Sequence, residues 1–436
     1  MRKIKFQIFK ERKKKLCLFF ALLGVLGIIS CSENYSFVPS KIKGTAYNPS
    51  QPVQVDAILP DSGGYLTQFI IKGHNFGMYA DKIDVRFNGN RRATVVSANG
   101  NVIYGIVPKQ ENGDNEISVS VDSGFAVKAP MTFHYTKKEQ VTTVTGGSGY
   151  VDGTLANARF GYMYGVGVLK GNNLVVVEGR NSRVRLIAID DDKVSTLYVG
   201  ANFGHPAVSK DGTRFYLIQV NKPHQVFCFD RKNAWAPKRL TSSIEGFDGD
   251  IYSCAMDDDE KYLYFREHNG KLGRLEIDNP ENVDTLNENC GQVSKNVSYL
   301  AWNPVEKCFY LSVQNAQGIY KISHDGKTVE EYAGFNGVGG ADGPRLMATL
   351  KNPTGMAFDA DGNMYFTDSM GFTIRKIDRI TGMLTTVAGK YVSGGDVDGE
   401  PLDALFSYPY DIGIDHEGNF YIAEGWGDSV RKYAIE

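Results

Sequence analysis

The sequence predicts an all-β chain in two folded parts, a short-stranded sandwich followed by a six-bladed β-propeller. Three observations carry that expectation. The stretches "GNMYFTDSMGFTIRKI" from Gly362 and "GNFYIAEGWGDSVRKY" from Gly418 align without a gap, 56 residues apart. A looser copy, "NNLVVVEGRNSRVRLI", begins at Asn172. The 436 residues also include 48 Gly, 24 Tyr and 24 Phe, a composition suited to strands joined by tight turns.

Each copy reads as two strands. A short apolar, β-favouring run follows a Gly-Asn turn and stops at an acid, and a second run ("TIRKI", "SVRKY") follows a few small or polar residues. Another strand and turn precede each copy ("TGMAFDADG", "YDIGIDHEG"), after a glycine-rich approach. Three or four strands repeating every ~40–50 residues make a propeller blade. Degenerate copies at His205–Asp230, Tyr252–Ile277 and Ser298–Ser323 bring the total to six. The chain ends just after the third strand of the last copy. "QVTTVTGG" (Gln140–Gly147) parallels "MLTTVAGK" (Met383–Lys390) and is expected to supply the missing outer strand, closing the ring and removing an exposed edge. Residues 140–436 resemble NHL repeats through the Asp152-Gly153, Asp342-Gly343 and Asp398-Gly399 turns, "ARF" at Ala158, "NPTGMAFDADGNMYFTD" and "IRKI" at Ile374.

Residues 52–136 have another rhythm. Alternating strands such as "QFIIKGHNFG" and "KIDVRFNG" are separated by Gly, Asn and Asp turns about every 10 residues, the pattern of an immunoglobulin-like sandwich. The segment resembles an IPT/TIG domain through "IIKGHNFG" (Gly73, Asn75, Phe76, Gly77), "VRFNG" (Val85 to Gly89), "IVP" (Ile106 to Pro108) and "FHY". In that reading Gly73 and Gly77 sit in turns, Phe76 plugs the core, and the domain acts as a spacer.

The N-terminus reads as an export signal over residues 1–30. A basic stretch, "MRKIKFQIFKERKKK", precedes an apolar run of fourteen, "LCLFFALLGVLGII", short of the ~20 residues a membrane span needs. The run ends in "IISC", which resembles a bacterial lipoprotein lipobox and implies acylation of Cys31. Residues 31–51 have no periodicity and read as a tether. Eight of the 48 Lys and Arg and one of the 50 Asp and Glu lie in the first thirty residues, so the remainder carries 40 basic against 49 acidic groups, a net of −9. Such a chain is unsuited to binding nucleic acid, which depends on neutralising phosphates. Cys228, Cys254, Cys290 and Cys308 lack CxxC spacing and read as buried thiols, with no bridge assigned.

Loops entering the inner strands share one face of a propeller with loops between second and third strands. On that face the sequence places Tyr164, His205, Tyr252, Tyr299, Tyr410, Trp426 and Arg180 as candidate ligand contacts. Tyr and Trp offer flat apolar surface with a polar edge, which suits the CH faces and hydroxyl rims of sugars. Packing between blades is the competing reading for each tyrosine. Arg185, Arg375 and Arg431 recur in step with the strands and read as structural. Trp302 reads as core, Trp235 as lying on the opposite face, and the acids at Asp257 to Glu260 as a solvated turn. No metal, cofactor or catalytic residue is assigned, since three converging histidines cannot be assembled and no GxSxG, HExxH or P-loop appears.

The order of anchor, tether, sandwich and propeller resembles Bacteroidetes surface lipoproteins of glycan-uptake systems. The resemblance implies a lipid-anchored outer-membrane protein at the cell surface that binds polysaccharide or oligosaccharide without catalysis, near an outer-membrane transporter complex. Two alternatives stay open: a hydrolase or lyase acting at the channel mouth, and a protein-interaction scaffold.

Overall fold

In the computed structural model, which describes residues 44–179, 182–291, 297–314 and 316–435, two units divide at Tyr135. The signal segment and Cys31 lie outside the described residues. Among those described there is no α-helix, and no helix long and apolar enough to cross a membrane.

The first unit is a two-sheet sandwich. One sheet orders Gln54–Leu59, Gln68–His74, Val102–Ile106 and Thr94–Ala98, and the other centres on Val127–Tyr135, Gly113–Val121 and Ile83–Phe87. Burial alternates along strands such as Gln68–His74 and Ile83–Phe87, so every second side chain there enters one core containing Phe69, Phe76, Phe87 and Phe133. Gly77 takes φ +75° in a turn, as expected. Gly73 does not. It lies inside a strand, and a Cβ there would stand 2.0 Å from the Gln54 carbonyl oxygen, so close approach rather than turn geometry requires glycine. The last residues read as tether, 44–51, are tied to the sandwich. Asn75 Nδ2 donates to the carbonyls of Asn48 (2.9 Å) and Gln51 (2.7 Å).

The second unit contains six antiparallel sheets. Their inner strands are Met163–Leu169, Ala207–Val208, Ile251–Ala255, Ser298–Asn303, Pro353–Phe358 and Pro409–Ile414, which define blades 1 to 6. Six hydrophobic clusters hold them together, one between each pair of neighbouring blades, including blade 6 against blade 1 through Tyr421, Ala423, Met163 and Val166. The repetition follows from this. A single blade exposes two apolar faces, and only a closed ring covers all twelve.

The outer strand of blade 6 is Glu139–Gly146, paired antiparallel with Ser429–Ile435. The closing strand therefore comes from the segment that the sequence repeat singled out. Its latch recurs in blades 1 and 5. The Asp of each Asp-Gly turn accepts Nη2–H from a fully buried arginine: Asp152 from Arg185 (2.8 Å), Asp342 from Arg375 (2.8 Å) and Asp398 from Arg431 (2.7 Å). The same carboxylates accept the backbone N–H and hydroxyl of a threonine on the outer strand, Thr196, Thr386 and Thr143 respectively. The recurring arginines are structural, as their spacing indicated.

Two further expectations need correction. Asp257 is buried rather than solvated, because it accepts from the Tyr264 hydroxyl at 2.9 Å and meets His324 Nε2 at 2.8 Å. Trp302 is only partly buried, against Phe309 (4.7 Å) and His324 (5.1 Å). Trp235 lies in the turn between the third and outer strands of blade 2, on the face away from the inner-strand entries. It is buried there, its ring 5.7 Å from Phe215. The four cysteines in the described region are free, and Cys254, Cys290 and Cys308 are buried.

Candidate ligand-binding mouth

The acids that end the second strands fix the loops entering the inner strands. Glu178 accepts the Gly161 N–H at 3.1 Å, Glu267 those of Asp248 and Gly249 at 2.8 Å, Asp368 that of Asn352 at 2.6 Å, and Glu424 that of Ser407 at 2.7 Å. Each acid is buried, and these bonds offset part of its desolvation. Burial pushes the Glu424 carboxyl up to about 7, against the pull of Arg431 and the Ser429 hydroxyl. Three of the loops that these acids hold carry Tyr162 and Tyr164, Tyr252, and Tyr408 and Tyr410.

The rings form a connected series. Trp426, 60% exposed, stacks on Tyr408 with centroids 4.4 Å apart and planes 21° from parallel. Tyr408 stacks on Tyr410 at 5.7 Å, Tyr410 meets Tyr299 at 5.8 Å, and Tyr299 meets His205 at 6.0 Å. Tyr162 and Tyr164 pack on each other at 5.1 Å and on Tyr410 at 5.7 and 5.3 Å. Phe372 flanks Trp426 at 6.4 Å.

Within this series the candidates divide by depth. Tyr299 and Tyr410 are 2% and 3% exposed. They form the floor, Tyr299 donating to the Tyr164 carbonyl at 3.1 Å and Tyr410 accepting from Gln314 at 3.1 Å. Burial drives both phenols well above their usual range, so they stay neutral. Tyr164 and Tyr252 are partly exposed. Burial, then the charge of Asp250, pushes Tyr252 up to about 12, and its hydroxyl donates to Asp250 at 3.2 Å. His205 lies at the throat of the bore, its Nδ1 2.5 Å from the buried Asp411 carboxylate. The structure thus joins Tyr164, His205, Tyr299, Tyr410 and Trp426 in one cluster, with Tyr252 alongside His205 through the His205 N–H to the Tyr252 carbonyl (2.8 Å). Arg180 lies outside the described residues.

Two glycines make this packing possible. A Cβ on Gly179 would fall 1.6 Å from the Tyr164 ring, and one on Gly425 would fall 2.8 Å from that of Tyr162. The sequence carries their signal as Glu-Gly pairs in "VVEGR" and "IAEGW", where each glycine follows a capping acid. Among the described residues no group of three or more His, Cys, Asp or Glu is placed to hold a metal ion.

Residues 52–135 match the IPT/TIG domain family. Over 90% of its length the chain is 37% identical to a structural-genomics protein of unknown function from Bacteroides thetaiotaomicron, covering all of that chain with a TM-score of 0.84. An auxiliary nutrient binding protein from the same organism is 24% identical, with 90% of this chain and 99% of that one covered at a TM-score of 0.60, a likeness of fold. Human NHL repeat-containing protein 2 is 23% identical over 69% of this chain. The chain spans less than half the length of the curated relatives it matches.

Proposed function

The chain belongs to the same family as the Bacteroides thetaiotaomicron protein of unknown function, and we propose that it is a non-catalytic carbohydrate-binding lipoprotein that captures nutrient glycan. In this reading acylated Cys31 anchors it in the outer membrane at the cell surface, where it holds polysaccharide near an outer-membrane transporter. The auxiliary nutrient binding proteins among its structural neighbours, from two Bacteroides species, support a nutrient-binding role in the cell envelope.

One observation carries the reading most of the way. Trp426 is an exposed indole, held flat on Tyr408 by backbone bonds from Trp426 and Gly427 to the Ser407 carbonyl (both 3.2 Å). A preordered aromatic platform stacks a sugar ring at little entropic cost. The test is native electrophoresis of the purified protein through gels containing a panel of polysaccharides. Retardation by at least one glycan, reduced in Trp426→Ala, supports the proposal, and no retardation by any glycan counts against it.

A further inference from the structure

The opposite end of the bore holds a cavity of about 890 Å³, in the size range of small-molecule sites. It opens among the hairpins that leave the inner strands of blades 1, 2 and 6, at Lys170–Asn172, Ser209–Gly212 and Asp415–Asn419. Its cause is local. Blade 2 contributes an inner strand of only two residues, Ala207–Val208, preceded by Pro206, whereas the neighbouring strand of blade 1 has seven. Val168, Pro206, Val208, Met356 and Ile414 give it apolar walls.

His205 also lines this cavity. Its Nδ1 faces Asp411 Oδ2, which already accepts the Val166 N–H at 2.7 Å. An ionised carboxylate only accepts, so Nδ1 donates to it and Nε2 is the ring nitrogen that can meet a ligand. Among the described residues, buried Asp411 Oδ1 has no hydrogen-bond partner, which leaves further accepting capacity at the throat. At the rim Lys170, Lys210 and Lys432 stand among Asp190, Asp211, Asp415 and Glu417, a mixture that selects strongly for neither sign of charge.

From these features we propose a second binding site here, for a neutral polyhydroxylated ring of mono- or disaccharide size. The ring enters end-on between the apolar walls, hydrogen-bonds His205 through a hydroxyl and hydrogen-bonds the rim. The site does not depend on glycan binding at the Trp426 mouth.

Saturation-transfer NMR with methyl glucosides, galactosides and mannosides, and with maltose, cellobiose and lactose, tests the idea on the whole protein. Transfer to at least one sugar is expected. Its Kd should rise about tenfold in His205→Phe, the loss of 1.4 kcal/mol, while Trp426→Ala keeps it. Lys432→Ala, a change at the rim, should also weaken it, and serves if His205→Phe does not fold. The proposal is overturned by absence of transfer to every sugar. It is equally overturned by transfer that Trp426→Ala abolishes and the two cavity variants leave intact.

Discussion

Thr143 and Asp398 lie 255 residues apart in sequence and meet in space, the threonine backbone N–H and hydroxyl each donating to the aspartate carboxylate at 2.9 Å. The aspartate also binds buried Arg431, so one side chain ties the strand before blade 1 to the last blade.

Asp398→Ala should therefore loosen the closure of the ring. It removes two hydrogen bonds from the closing strand and one partner of a buried guanidinium, a loss of about 2–4 kcal/mol. Limited proteolysis should then cut near residues 136–146 before any other part of the propeller. Asp342→Ala, which breaks the same latch within blade 5, should destabilise without exposing that segment.

The latch also sets an acid limit. Burial alone would raise the Asp398 carboxyl, but the Thr143 donors and Arg431 hold it below its ordinary value of 3.8. Its contribution is thus complete above 3.8 and disappears as pH falls through the lowered value. Thermal melts should show wild type and Asp398→Asn separated by a constant gap from pH 5 to 7, closing below about 3.8. A gap unchanged at pH 2 would contradict the assignment.

Gly179→Ala should disturb the mouth without touching the ligand platform. Gly179 has no positive φ to preserve, so only the clash with the Tyr164 ring matters. Overpacking of this kind costs about 1–3 kcal/mol. The near-ultraviolet circular dichroism of the tyrosine cluster should change along with Tm, whereas Trp426→Ala, at an exposed site, should leave Tm within roughly 1 °C.

Sequence alone revealed the blades because each strand and turn is local, and it revealed the closure because "QVTTVTGG" echoes "MLTTVAGK". It also placed the aromatic positions on one face. Depth was not legible. Tyr164 and Tyr410 occupy equivalent places in their blades, yet Tyr410 is buried by Tyr162, Tyr164, Tyr299 and Tyr408, most of which lie far away in sequence. Asp257 looked solvated because His324, its partner, is 67 residues on. The cavity is lined by residues of four blades that lie far apart in sequence, and so was not legible either.

Three tryptophans differ in exposure, and that makes the central claim directly measurable. Trp235 is buried, Trp302 is partly buried and Trp426 is open to solvent. In a titration with a glycan that retards the protein, the account predicts a saturable blue shift of tryptophan emission that persists in Trp302→Phe and vanishes in Trp426→Phe. Retardation with no change in emission, or a shift that survives Trp426→Phe, would mean that the polysaccharide binds elsewhere.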